Sequence, residues 1–146
     1  MYIREARYEE IPQILKRGKA FEEATKKVVV NIEYATEVFQ NLYKSGMLTM
    51  LRLLEDDDTP IGGLAYIITP DCYTGDMLGV ELYWFVFSDK RGYGHKLVDA
   101  FEKSAKSKGC NKVAMIHLVD SFPDTLKAFY EKRGYSLVEL HYVKEI

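Results

Sequence analysis

Residues 81–96 read ELYWFVFSDKRGYGHK, an apolar run followed by Gly92 and Gly94 set among Lys90, Arg91, His95 and Lys96. Behind them, LVDAFEKSAKSKG (97–109) repeats Leu97, Phe101 and Ala105 every four residues with Val98 alongside, the apolar stripe of an amphipathic helix closed by Lys108-Gly109. A strand that enters a helix through a glycine-containing turn presents unpaired backbone N–H groups where the helix dipole also favours negative charge. The stretch therefore reads as an anion cradle: Gly92 and Gly94 let the backbone close on a phosphate, and Arg91 and Lys96 add charge. The same glycines would equally serve a bare strand-to-helix turn with solvated basic side chains. Rival phosphate loops do not fit, because GYGHKL lacks the spacing of a P-loop and Leu97 stands where a dinucleotide fingerprint needs its third glycine.

Outward from this stretch, periodicity sets the element order. YIREA (2–6) alternates as a short strand, and YEEIPQILKRGKAFEEA (8–24) carries Ile11, Ile14, Leu15 and Phe21 at helical spacing. Asn31 is placed to cap IEYATEVFQNLYKSG (32–46), where Ala35, Val38, Phe39 and Leu42 share a face and Gly46 marks the stop. MLTMLRLLE (47–55), IGGLAYIIT (61–69) and LGVELYWFVF (78–87) read as three successive strands, antiparallel because DDDTP leaves room only for a turn, with a loop at 70–78. NKVAMIHLV (111–119) is a further strand. Ser121 and Asp124 have capping-box spacing at the head of SFPDTLKAFYEKRG (121–134), and YSLVELHYV (135–143) alternates as a closing strand. The order β-α-α-β-β-β-α-β-α-β describes an α+β fold, a mainly antiparallel mixed sheet flanked by helices, in one domain over residues 1–146.

Composition narrows the function. A chain of 146 residues suits one domain, and 47% hydrophobic with 29% charged residues is the balance of an ordinary globular protein. With 20 basic against 22 acidic residues there is no global field to draw nucleic acid or an anionic membrane, so an anion site must be local. Cys72 and Cys110 have neither metal-cluster spacing nor the number for a secreted disulfide framework, which favours a reducing, cytoplasmic setting. No apolar run reaches membrane-span length, and MYIREARYEE is too charged for a signal peptide. His95, His117 and His141 are as dispersed as the cysteines, so no metal is expected.

VFSDKRGYGHKL resembles the acetyl-CoA signature of the GNAT acetyltransferase superfamily, a strand-ending Val followed by Arg-x-x-Gly-x-Gly/Ala at the head of a helix. AFYEKRGY resembles its second signature, Tyr followed by Glu-Lys-x-Gly-Phe/Tyr. Gly94 and Tyr130 stand 36 positions apart, with the helix, strand and helix between them that the family would place there. The resemblance implies that acetyl-CoA lies where two neighbouring strands splay. Its pantetheine would pair with the backbone near Val86, and its pyrophosphate would meet the N–H groups of Arg91, Gly92, Tyr93, Gly94, His95 and Lys96. Lys96 departs from the family's Gly/Ala, and Pro123 replaces an Asn often found seven residues before the motif tyrosine, leaving Ser121 as a substitute contact.

Acyl transfer to an amine needs a base for the ammonium proton and an acid for the departing thiolate. Glu81 occupies a place comparable to the family's strand-borne Glu base, and burial in so apolar a strand would raise its pKa toward a useful range; His117 is the reserve. The bland reading of Glu81 is an ion pair at an exposed strand start. Tyr130 matches the motif tyrosine, implied to sit beside the CoA sulfur, although with Leu126 and Phe129 it also forms a core face. A backbone N–H of the splayed strand, at Val86, would hold the developing oxyanion.

The resemblance places the acceptor at ATKKVVVN (24–31) and TPDCYTGDML (69–78). Asp71, Asp76 and Glu81 would favour a cationic amine, with Tyr73, Tyr83 and Trp84 as an aromatic wall; Lys26 and Lys27 would instead meet an acidic peptide. Asp56-Asp57-Asp58 reads as a solvated turn. The implied function is transfer of an acetyl group from acetyl-CoA to a primary amine of a small molecule or peptide by direct attack in a ternary complex. Its alternative is an acyl-CoA-binding module without turnover. Nucleic acid and membrane are not expected partners, and either a monomer or a homodimer paired through the apolar last strand fits the sequence.

Overall fold

The computed structural model describes residues 1–18, 22 and 29–146. They form two compact units, Met1–Ile116 and His117–Ile146. The first holds five strands in sequential order, β1 (Tyr2–Glu5), β2 (Leu48–Leu54), β3 (Pro60–Pro70), β4 (Met77–Val86) and β5 (Lys112–Ala114). Every pairing is antiparallel except the last, between β4 and β5. The mixed α+β class with a mainly antiparallel sheet is the one the periodicity predicts.

Among the described residues, the helices of this unit that cover the sheet are α1 (Ile11–Lys16), entered through a 3-10 turn at Tyr8–Glu10, α2 (Ile32–Lys44) and α3 (Gly94–Ser107). The expected first helix reaches as far as Lys16. Its continuation over 19–21 and 23–24 lies outside the described residues. Asn31 caps α2 as its type predicts, the Oδ1 accepting the Tyr34 N–H at 3.1 Å. Ile11 and Leu15 of α1 pack with Met50 of β2 and Ala65 of β3, and Ala35, Phe39 and Leu42 of α2 join them. Met50 and Ala65 are register partners, so side chains one residue along, such as Tyr66, point to the other face. There Tyr66 meets Phe101 of α3 with ring centroids 4.8 Å apart, and its hydroxyl lies 2.7 Å from Ser104 Oγ. A sheet covered on both sides explains why β2 is a nearly unbroken apolar run.

The turn after β2 is solvated as expected, with Asp56, Asp57 and Asp58 exposed. The Thr59 N–H donates to Asp57 Oδ1 at 3.0 Å. The strand expected over 111–119 is far shorter. Its pairing with β4 runs only through Leu78–Lys112, Gly79–Val113 and Val80–Ala114. Two positions on, the Ile116 N–H donates to the Glu81 carboxylate at 2.8 Å, so a side chain takes the donor that a longer ladder would use. His117 accordingly falls outside β5.

The second unit carries α4 (Pro123–Lys132). The expected Ser121–Asp124 capping box does not form. The helix begins at Pro123, which needs no N–H partner, and the cap position falls on Phe122 in the left-handed region at φ 46° with no side-chain cap. Residues 135–146, assigned by alternation to a closing strand, have no regular secondary structure within this unit. A strand exists only through its ladder, and this unit offers no second strand to pair with. Among the described residues no helix is long and apolar enough to cross a membrane.

Candidate active site

Glu81 stands at the root of a fork. β4 and β5 pair up to Val80–Ala114 and no further, leaving the rest of β4 without a β5 partner. On the other side of β4 the register steps from Ala65–Tyr83 to Tyr66–Glu81, so Leu82 is an extra residue, a bulge beside Glu81. Bulges re-aim the side chains around them, and this one sits where two strands part. The Glu81 side chain is buried, with 5% of the residue exposed. Burial pushes its carboxyl up to about 7, and the single N–H from Ile116 only partly opposes that shift. No cation pairs with it among the described residues. The alternative of an exposed, ion-paired Glu81 is excluded by this burial.

At the other end of β4 the chain passes through a 3-10 turn at Ser88–Lys90 into α3. Gly92 adopts φ +103°, a conformation open to glycine and strained for any residue with a Cβ. Gly94 is needed for space, since a Cβ there would come within 2.9 Å of the Trp84 ring. The strand's own tryptophan thus seats the first residue of the helix. Arg91, Tyr93, His95 and Lys96 are exposed around this turn. His95 Nδ1–H donates to the Gly92 carbonyl at 2.8 Å, and the Lys96 N–H is engaged with the Tyr93 carbonyl at 3.1 Å. Lys90 turns away to Glu55, 2.8 Å from its Oε1. Both glycines have structural reasons to be glycine, and the turn they make leaves a basic, accessible helix start.

Within the second unit Tyr130 is buried and packs edge-on against His117, with centroids 5.9 Å apart, and against Phe129, with Tyr135 tilted beside it.

The expected acceptor wall is distributed differently. The Asp71 carboxylate accepts the Tyr73 N–H at 2.9 Å, while Asp76 holds Lys112 at 2.5 Å and Asn111 at 2.7 Å, ordering the β3–β4 loop. Tyr73 is exposed, Trp84 is packed on Gly94, and Lys26 and Lys27 lie outside the described residues. Of the anticipated aromatic side chains only Tyr83 lines a cavity of about 300 Å³ between α1, α2 and strands β2 to β4. Leu82, Phe85 and Phe87 line it as well, and so do Arg17 and Arg52. Burial raises the Tyr83 phenol, opposed by the charge of Arg52.

Neither arginine is singled out by motif reading, yet Arg52 leaves a trace in the sequence, a lone cation inside MLTMLRLLE. Its partner is Glu10. Arg4 grips both Glu10 oxygens at 2.8 and 2.7 Å, Arg52 bonds Oε1, and the Arg7 N–H donates at 2.8 Å. Arg4 and these other donors hold the Glu10 carboxyl down at about 2.

Solved structures with the same architecture include an acetyltransferase of Trypanosoma brucei (17% identity, TM-score 0.71, 99% of both chains covered). A ribosomal-protein-alanine N-acetyltransferase from Brucella melitensis biovar Abortus 2308 (17%, 0.71, all of both chains) and a glucosamine-6-phosphate N-acetyltransferase from Arabidopsis thaliana (21%, 0.70, 99% and 97%) share it too. At these identities the likeness is one of fold. Among curated proteins no sequence matches. The sequence model of the acetyltransferase (GNAT) family matches residues 13–135, which include both forked strands, the glycine turn and α4, and the chain therefore belongs to that family.

Proposed function

We propose that this protein is an N-acetyltransferase that moves an acetyl group from acetyl-CoA to a primary amine of a small molecule or peptide, by direct attack in a ternary complex. The single observation that carries the reading is Glu81: a buried carboxyl at the mouth of a strand fork, with a pKa raised to about 7. Such a group is half ionised near neutrality and can take the proton of an ammonium without being permanently charged. Acetyl-CoA supplies the acyl group as an activated thioester. The basic turn of Arg91, Gly92, Tyr93, Gly94, His95 and Lys96 is the place for its pyrophosphate, and the open edge of β4 at Val86 the place for its pantetheine.

In this reading the amine nitrogen forms its bond to the acyl carbon as the carbon–sulfur bond breaks. Glu81 receives the proton leaving nitrogen, and the Tyr130 hydroxyl gives one to the departing sulfur. The family match runs across both compact units, which supports treating residues 1–146 as one catalytic domain. The free thiols of Cys72 and Cys110 support a reducing, cytoplasmic setting.

The test is release of CoA thiol from acetyl-CoA across a panel of amines. Wild-type turnover should rise with pH through about 7. Glu81→Gln should lose roughly 10²–10⁴-fold in kcat together with that ionisation. An unchanged rate and pH profile in Glu81→Gln would remove Glu81 from the chemistry.

A further inference from the structure

The lining of the cavity is mostly apolar and carries two arginines. Ile14, Phe39, Leu82 and Phe85 supply apolar walls, and among the described residues no acidic side chain lines it. The charged groups that do are Arg17 and Arg52. Arg52 is mostly buried, with 14% of its side chain exposed, and shares one carboxylate, Glu10, with Arg4 and, at 3.9 Å, with Arg7. Arg4 and Arg52 share the single charge of Glu10, so the mostly buried Arg52 keeps part of its positive charge uncompensated beside the cavity. Arg17 makes no ion pair among the described residues, and its guanidinium lies 6.0 Å from the centroid of the Phe87 ring. A mostly buried guanidinium that shares its counter-ion is costly and is stabilised by an anion that can accept forked hydrogen bonds. A second ammonium placed there would add to the positive charge.

Size restricts the occupant further. At about 300 Å³ the space is at the small end of small-molecule sites, enough for one ring with short substituents and too little for a peptide chain. The chain also runs directly from this wall to the fork, since Leu82 and Tyr83 follow Glu81. We infer that the acceptor is a primary amine on an apolar, ring-sized body that also bears a carboxylate, held in the cavity between α1, α2 and β2 to β4 with its carboxylate on Arg17 and Arg52. This rests on the acetyltransferase reading above and narrows it, replacing the cationic acceptor that Asp71 and Asp76 suggested. Those two carboxylates are engaged in the β3–β4 loop and line no part of the cavity.

The experiment uses the full chain, saturating acetyl-CoA, and three amines that share a ring and differ at one substituent: L-phenylalanine, L-phenylalaninamide and phenethylamine, with kcat/KM expressed per free base. The acid should exceed both neutral analogues by about tenfold, the value of one charge-assisted contact. In Arg17→Gln that ratio should fall to about one, and Arg17→Glu should reverse it. Equal or better use of the neutral amines by the wild type overturns the inference while leaving the acetyltransferase reading intact.

If none of the amines is acetylated and acetyl-CoA does not raise the Tm either, the acetyltransferase reading is what fails; with or without that rise, melting curves decide the cavity separately. N-acetyl-L-phenylalanine at millimolar concentration should then raise the Tm more than its amide does, and only with Arg17 intact. Equal shifts, or none, overturn the inference.

Discussion

At the scale of single residues, the burial of Glu81 carries a cost in stability that the proposed role as base would turn to use. Its proton is held more tightly in the folded chain than in the unfolded one, where the carboxyl titrates near 4.5. Below that pH both states are protonated and burial costs nothing from charge. As pH rises from about 4.5 through about 7 the unfolded chain ionises first, so folded stability falls until the buried carboxyl ionises too. Glu81→Gln keeps an acceptor for the Ile116 N–H and removes the ionisation. Thermal unfolding should find this variant more stable than wild type at pH 8, by a margin on the order of 3 kcal/mol, and level with it near pH 4.5. A variant no more stable at pH 8 would show that water or a cation relieves the carboxylate. The two glycines make a second residue-scale test. Gly94→Ala forces a methyl against Trp84 and should cost about 1–3 kcal/mol in denaturant unfolding. Gly92→Ala should cost a similar amount through its positive φ alone. Open space surrounds the Cβ position at Gly92, so a loss there reports backbone strain rather than collision.

Between elements, Glu10 is the tie. It sits at the end of the 3-10 turn leading into α1 and joins Arg4 of β1 to Arg52 of β2. Glu10→Gln keeps the shape and removes the charge, leaving those guanidiniums facing one another; chemical denaturation should show a loss of about 3 kcal/mol. The pH dependence has the opposite sign to that of Glu81. The folded carboxyl titrates near 2, below its unfolded value of 4.5, so its contribution is complete above about 4.5 and lost as pH falls toward 2. Element boundaries also mark where periodicity stops being informative. α2 and α3 carry their caps and stripes in the sequence, and each occurs where those signals put it. β5 is cut short because the Glu81 side chain captures the Ile116 N–H, a tertiary event invisible to local pattern. The α4 cap moved for a different reason: Pro123 is itself a strong helix start, and it outcompetes the Ser121 signal two residues upstream.

For the whole molecule, binding should be visible as stability. Acetyl-CoA at a hundredfold excess over its Kd should add about 2.7 kcal/mol to unfolding and raise the Tm, and CoA alone should do most of this if the basic turn at 91–96 supplies the contacts. No rise with either ligand would remove the donor site from that turn. Sequence by itself determined the fold class, the three central antiparallel strands, the glycine turn before α3 and the family, because each rests on interactions between near neighbours or on a motif whose residues are contiguous. It also pointed to Glu81, since a carboxylate inside an apolar strand is anomalous on its face. The fork, the bulge at Leu82, the pairing of Arg52 with Glu10 and the cavity they adjoin were decided only by tertiary structure. Each depends on which residues distant in the chain come to share a face, and the free energy of burying a charge depends on what surrounds it in space rather than on what precedes it in sequence.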